Sequence, residues 1–256
     1  MGQPVMMDEL TWVEYQERVR AGAPLFLVAG STEQHGPHLP LGTDVFQAVA
    51  VARAAAERVG GIVAPPLAYG YKSQPKSGGG QQFPGTTSLD GQTLVAVVRD
   101  LLREFLRHGV RRIVVVDGHY ENAMFLTEGI DLALRETGVS DAKAVVVHWW
   151  ELIPPGTVDA IFAGEFPGWA LEHAAVVETS VTAAVRPDLV RWDRLVDDRA
   201  DRQLPYEIYP PPSDVVPPSG VLSPARRASA AHGRRIVEEV VQALVEIVRT
   251  EFGLAG

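Results

Sequence analysis

"PLFLVAGSTEQHGPHLPLGTDVFQAVAVARAAAERVG", residues 24–60, sets an apolar run, a loop crowded with ionisable side chains and an amphipathic segment in immediate succession. The run 24–30 is too short for a helix and is closed by Pro24 and Gly30, so it reads as a buried strand. Residues 44–60 carry helical periodicity and stop at a glycine pair, which predicts a helix. Between them, Glu33, His35, His38 and Asp44 are packed into a loop that a plain connection does not need.

The same rhythm repeats outward from this unit. "GIVAPPL" (61–67), "RRIVVVDGHYEN" (111–122) and "AKAVVVHWW" (142–150) read as further strands. Helices are expected over 89–109, where Leu94, Val98, Leu101, Leu102 and Phe105 share a face, and over 123–138 and 168–185. A last helix is expected from about Pro224, capped by Ser223, with Ile236, Val240, Leu244 and Val248 turned inward. The glycine-rich stretch 69–88 reads as a loop, and 205–224, with seven prolines, as a long surface excursion. Alternating strands and helices predict an α/β fold: one domain over 1–256, with a mostly parallel sheet flanked by helices. Ligands bind such sheets beyond the carboxyl ends of the strands, where Glu33, His35, His119 and the Trp149–Trp150 pair fall.

Composition narrows the function. With 46% apolar residues in 256, the chain has material for a substantial core. The absence of cysteine excludes disulfides, thiolate metal sites and a cysteine nucleophile. A net charge of −9 without a Lys/Arg-rich run argues against nucleic acid as a partner. The start "MGQPVMMDELTW" has no basic-then-apolar pattern, and no apolar run approaches the ~20 residues that cross a bilayer, so no membrane partner and a cytoplasmic location are expected.

Glu33 and His35 lie two apart after one strand, so in extended chain they point the same way. His119 and Glu121 repeat that spacing after another strand, and Asp44 sits where a helix begins. These three carboxylates and two imidazoles can hold two divalent ions with one carboxylate bridging, and their oxygen and nitrogen donors suit Zn²⁺ or Mn²⁺. His38 and His148 read as structural, His108 as the close of a helix and His232 as helix surface. "SGGGQQFPGTTS" (77–88) lacks the Gly-Lys-Ser/Thr of a phosphate loop, so its glycines fit close approach to a small ligand, with Ser77 as a contact. On the expected helix 168–185, Trp169, Glu172 and His173 share a face with Glu178 near it, and Gly168 is placed to hinge the tryptophan.

"EQHG" (33–36) followed by Asp44, "YGYKSQPKSGGG" (69–80), "FPGTTSLDG" (83–91), "DGHYEN" (117–122), "EGIDLALRE" (128–136) and "EHAAVVETS" (172–180) together resemble the creatininase (creatinine amidohydrolase) family. The likeness runs from "ELTWVEY" (9–15) to the last helix. It implies a homohexameric α/β hydrolase with two divalent ions per subunit, zinc and/or manganese. One ion would take Glu33 and His119, the other His35 and Glu121, with Asp44 bridging. The catalytic set it implies is His173, Glu121, Glu172 and Glu178; His173 passes a proton to the departing ring nitrogen, oriented by Glu172 or Glu178. Ser77, Tyr120, Trp150, Trp169 and His173 match substrate-contacting positions, and Trp169 would close over a flat ring. The implied reaction is creatinine plus water to creatine, in either direction. Four positions depart from the family pattern: Ala170 stands for Asp, Pro37 for His, Asp117 for Asn and Gln82 for His. Alternative readings are a related cyclic amide or formamide as substrate, or a ligand-binding relative without catalysis.

Overall fold

Four strands, Leu25–Ala29 (β1), Ile62–Val63 (β2), Arg112–Asp117 (β3) and Lys143–His148 (β4), run parallel in the order β2-β1-β3-β4. The computed structural model describes residues 4–200, 206, 208–210, 212 and 214–254. Around the sheet lie α1 (Trp12–Arg20), α2 (Thr43–Val59), α3 (Gly91–Arg107), α4 (Ala123–Thr137), α5 (Pro155–Phe162), α6 (Val176–Val185) and α7 (Ala230–Phe252). No helix among the described residues is long and apolar enough to cross a membrane.

Side chains alternate across a strand, so β1 and β3 feed two cores. Phe26, Val28, Val114 and Val116 face α2, α6 and α7, meeting Val51, Ala52, Val181, Ile236, Val240 and Leu244. Leu25, Leu27, Ile113 and Val115 face α3 and α4, meeting Leu94, Val98, Leu102, Leu126 and Ile130. Of the stripe expected on α3, only Leu101 stays partly exposed. Strands covered on both faces need continuous apolar sequence, which is what "LFLVA" and "IVVV" provide. The helix after β1 and the helix after β3 pack on opposite faces of the sheet, so a crevice opens between these two strand ends.

Several expected boundaries move. The strand 61–67 shrinks to Ile62–Val63, because Pro65 and Pro66 carry no N–H for a ladder; Leu67 rejoins only through an isolated bridge to Ala29. The expected helix 168–185 is two pieces. Trp169–Leu171 forms one 3-10 turn, Ala174 takes φ +54 and Ala175 is extended, and α6 begins only at Val176. Trp169, Glu172 and His173 therefore do not share a helical face.

The last helix starts at Ala230 rather than Pro224. Its cap is Ser229, whose hydroxyl accepts the His232 N–H at 3.1 Å. The helix α5, with Pro155 at its start, was not expected from the sequence. Within the excursion expected over 205–224, positions 205, 207, 211 and 213 lie outside the described residues, as do 1–3 of the N-terminal stretch and 255–256. Tyr206, Ile208 and Tyr209 are exposed as expected, but Val215, Val216, Val221 and Leu222 are buried. That end of the stretch is a cover: the Leu222 N–H donates to the His173 carbonyl, and the Gly220 carbonyl accepts from Gln34.

Candidate metal centre and active site

Chain leaving β1 carries Glu33 and His35 into the crevice, chain leaving β3 carries His119 and Glu121, and the first turn of α2 carries Asp44. His119 Nδ1 lies 3.1 Å from Glu33 Oε2 and 3.1 Å from Asp44 Oδ2. His35 Nε2 lies 2.9 Å from Asp44 Oδ1 and 3.5 Å from Glu178 Oε1. Glu33, Asp44 and His119 form one group with ligand atoms within 4.8 Å of one another; His35, Asp44 and Glu178 form a second, and the two share Asp44. A third grouping within the same limit joins Glu33, His35 and His173.

The outer nitrogens explain what this arrangement is built for. His119 Nε2 is 3.0 Å from the Tyr71 carbonyl, and His35 Nδ1 is 3.1 Å from the Glu33 carbonyl. A carbonyl only accepts, so in a neutral ring each of these nitrogens carries the proton, and the inner nitrogen presents a lone pair to carboxylate oxygens. Lone pairs facing lone pairs in a buried site require a cation or an added proton between them. His35 Nε2 and Asp44 Oδ2 are buried, and beyond these short approaches neither makes a hydrogen bond of regular geometry. Orphaned acceptors, tethered imidazoles and an all-oxygen-and-nitrogen donor set fit a divalent metal such as Zn²⁺ or Mn²⁺.

Ionisation without a cation follows from the same crowding. Burial lowers the pKa of His35, but Asp44 and Glu178 outweigh it and hold it well above the ordinary imidazole range. Burial likewise opposes, and Glu121, Glu33 and Asp44 overcome, at His119. Burial raises Asp44 while the His35 and His119 imidazoles pull it far down. Glu121 is pushed up to about 7 by burial and by the Glu33 charge, with His119 pulling the other way. His173 is lowered, chiefly by burial.

Glu121 and Glu178 stand where the sequence reading did not put them. Glu121 Oε2 is 3.3 Å from His119 Nε2, and its Oε1 accepts from Ser77 Oγ at 2.7 Å and the Gln74 N–H at 2.9 Å. It sits in the 3-10 turn Tyr120–Asn122, which bends the carboxylate back to the imidazole before it. The acid beside His35 is Glu178, from the first turn of α6, whose Oε2 accepts the Ala174 N–H at 2.5 Å. Glu172 does not orient His173 by a hydrogen bond. Its carboxylate accepts the Val177 N–H at 2.6 Å and the Glu178 N–H at 3.4 Å, satisfying the start of α6. Burial and the Glu178 charge hold its pKa well above the usual carboxylate range.

His173 Nε2 instead meets Gln34 Nε2 at 2.9 Å and lies 4.0 Å from Glu33 Oε1, with its ring centroid 4.4 Å from that of His35. Above this floor is a cleft of about 420 Å³ whose walls include Ser77, Tyr120, Trp149, Trp150, Trp169 and His173. Tyr120 and Trp150 stack at 6.2 Å with 25° between planes, and Trp169 packs edge-on against Phe166 at 4.7 Å. Gly168, before Trp169, takes φ +89.

The other histidines are accounted for nearby. His38 Nε2 meets Thr179 Oγ1 at 3.0 Å in full burial, and His148 Nδ1 meets Asp117 Oδ2 at 2.9 Å. His108 packs edge-on against Tyr15, and His232 is half-buried in the first turn of α7. Supports that the sequence reading missed are Ser73, which donates to Glu33 Oε1, and Asn122, whose side chain accepts the Tyr71 N–H and donates to the Gly30 carbonyl. They sit inside "YGYKSQPKSGGG" and "DGHYEN", where nothing in the local sequence marks which way their side chains turn.

Comparison with known proteins identifies the family. The family model for creatininase, described as creatinine amidohydrolase, matches residues 8–248. A creatinine amidohydrolase of Pseudomonas putida is 48% identical over 257 aligned residues, covering 98% of this chain and 99% of that one. A solved mutant creatininase complexed with creatine superposes with a TM-score of 0.95 at 46% identity, over 98% of this chain and 99% of that chain. A Zn–Zn mutant form (TM-score 0.95, 46% identical) and a manganese form (0.94, 47%) match over the same 98% and 99%.

Proposed function

The chain belongs to the creatininase family, and from that premise we propose that it opens the lactam ring of creatinine to give creatine, and closes it in reverse. The observation that carries this is a pair of buried oxygen-and-nitrogen clusters sharing Asp44 at the floor of a small cleft walled by aromatic rings. In this reading Glu33, Asp44 and His119 hold one divalent ion, with Glu121 against the outer nitrogen of His119, and His35, Asp44 and Glu178 hold the other. This regroups the acids from the initial pairing, in which Glu121 went with His35. Zinc and manganese are the ions proposed. When bound, such a pair activates a water and polarises the substrate carbonyl.

The remaining work falls to the chain's own side chains. In hydrolysis the water oxygen bonds to the ring carbonyl carbon, the carbon–nitrogen bond breaks, and one water proton ends on the departing nitrogen. His173, in the wall of the cleft, is the group to carry that proton. Trp169, Trp150 and Tyr120 offer flat apolar walls to a planar ring and exclude bulk water. Ser77 holds Glu121 and stands in the same wall as a substrate contact. Glu172 is proposed to act at one remove, by fixing the start of α6 and with it Glu178. The reading includes a cytoplasmic protein that assembles as a homo-oligomer, a hexamer by family likeness, with no nucleic-acid or membrane partner.

The test is creatine release from creatinine by metal-loaded protein, before and after chelation, against hydantoin-like and N-formyl compounds. Creatinine turnover that disappears on chelation and returns with Zn²⁺ or Mn²⁺ is the expected result. His173→Ala should keep its metal content and lose turnover by roughly 10²- to 10⁴-fold. Full activity in that variant would remove His173 from the proton path.

A further inference from the structure

Gln34 sits between two candidate metal ligands in sequence, yet its side chain turns away from the metal groups toward His173. Its carboxamide is oriented by backbone alone. The Gly36 N–H lies 2.8 Å from one end, and a donor there requires that end to be the oxygen. The Gly220 carbonyl lies 3.0 Å from the other end, and an acceptor there requires it to be the nitrogen. Neither backbone group can exchange its role, so the amide has one orientation. The second N–H of Gln34 then meets His173 Nε2 at 2.9 Å. A ring nitrogen that receives an N–H must offer a lone pair, so the proton of the neutral ring resides on Nδ1.

The slot is cut to the size of that amide. A Cβ built on Gly79 would lie 2.0 Å from Gln34 Nε2, and one on Gly220 would lie 2.0 Å from Gln34 Oε1. Both glycines take positive φ, +120 and +77, so two separate loops close on Gln34 in backbone conformations that other residues rarely adopt. Gln34 itself is only 6% exposed.

We propose that Gln34 is a positioning residue for His173, holding the neutral imidazole as its Nδ1–H tautomer with the Nε2 lone pair engaged by the Gln34 N–H. This rests on the role given to His173 above. It also assigns a purpose to the middle residue of "EQH" and to the glycines of the two covering loops. A second amide length or a carboxylate in this slot would change which ring nitrogen carries hydrogen, without removing any candidate metal ligand.

The experiment is ¹⁵N NMR of histidine-labelled, zinc-loaded protein, with the His173 signal identified by its absence in His173→Ala. Wild type should show hydrogen on Nδ1. Gln34→Glu keeps an oxygen for the Gly36 N–H but presents an acceptor to His173, so it should move the hydrogen to Nε2. In Gln34→Glu, kcat should fall by roughly 10- to 100-fold at unchanged metal content, with KM within about threefold. Gln34→Asn, too short to reach, should give a mixture of tautomers and serves if the carboxylate variant does not fold. Wild-type protein with hydrogen on Nε2, or a Gln34 variant with unchanged tautomer and kcat, would overturn the proposal. If His173→Ala stays fully active, the proton-carrying role fails while the tautomer measurement still decides what Gln34 does.

Discussion

Glu178 Oε1 lies 3.5 Å from His35 Nε2, and the other oxygen of the same carboxylate accepts the Ala174 N–H at 2.5 Å. The acid is thereby aimed from α6 into the gap beside Asp44. If Glu178 completes the second metal group, Glu178→Gln should lower metal content from two ions per chain toward one, and Glu121→Gln should weaken the ion on the His119 side instead. Elemental analysis after dialysis against dilute metal distinguishes them. A Glu178→Gln protein with full stoichiometry would return that acid to a purely structural role.

Gly118, the residue after β3, lies directly against the first turns of α2. A Cβ there would lie 2.5 Å from the Asp44 carbonyl and 3.0 Å from the Ala48 Cβ. Gly118→Ala must therefore push the first turn of α2 outward and carry the Asp44 carboxylate with it. Overpacking of this kind costs about 1–3 kcal/mol. Because both metal groups use Asp44, the loss should be larger for metal-loaded than for chelated protein. Thermal melts of both forms check this; equal shifts in the two would mean that Asp44 has not moved.

The sheet was legible because "LFLVA", "IVVV" and "AVVV" are apolar runs of strand length; β1 and β3 are buried on both faces, while β4, at the edge, is only partly covered. The residues Glu33, His35, Asp44 and His119 were legible for a related reason: strand ends and helix starts are local features, and each side chain's direction follows from them. Their partners were not. Glu178 comes from an element 130 residues beyond Ala48, and the break that aims it, at Ala174 and Ala175, has no glycine or proline to announce it. The spacing of two does bring Glu121 to His119, through the turn Tyr120–Asn122; its pairing with His35 was implied by the family resemblance and had no local signal behind it. Gln34 had little local signal: its oxygen is taken by Gly36 two residues on, but its nitrogen's partners, Gly220 and His173, lie far along the chain.

His38 supplies a prediction on pH. It is fully buried, and burial, helped by the neighbouring His35, lowers its pKa to about 4. In the unfolded chain the ring titrates near its ordinary value of about 6.5. Between these two values the unfolded state binds a proton that the folded state refuses. The stability this ring contributes is therefore complete above about pH 6.5 and is lost as pH falls toward 4. Urea unfolding of chelated protein at pH 7.5 and 4.5 should show wild type losing about 2 kcal/mol more than His38→Gln. Parallel pH dependence in the two proteins would mean that His38 accepts a proton inside the fold.

Metal uptake should displace protons. Without a cation, burial works against charge on His35 and His119, but the carboxylates around them hold both pKa values well above the ordinary range, so both rings carry an extra proton at pH 7. Glu121, at about 7, is partly protonated as well. A divalent ion needs the same inner nitrogens as lone pairs, so each ion that binds must expel what is there. Adding Zn²⁺ to chelated protein at pH 7 should release about two to three protons per chain as both sites fill, two from the rings and a fraction from Glu121, and affinity should rise with pH. Calorimetry in two buffers of different ionisation heat counts those protons directly. His35→Asn, which removes one of the two rings, should lower the count by about one. Uptake without proton release would show that the imidazoles are already neutral when the ion arrives, and the charge balance derived from Asp44 and its neighbours would be wrong.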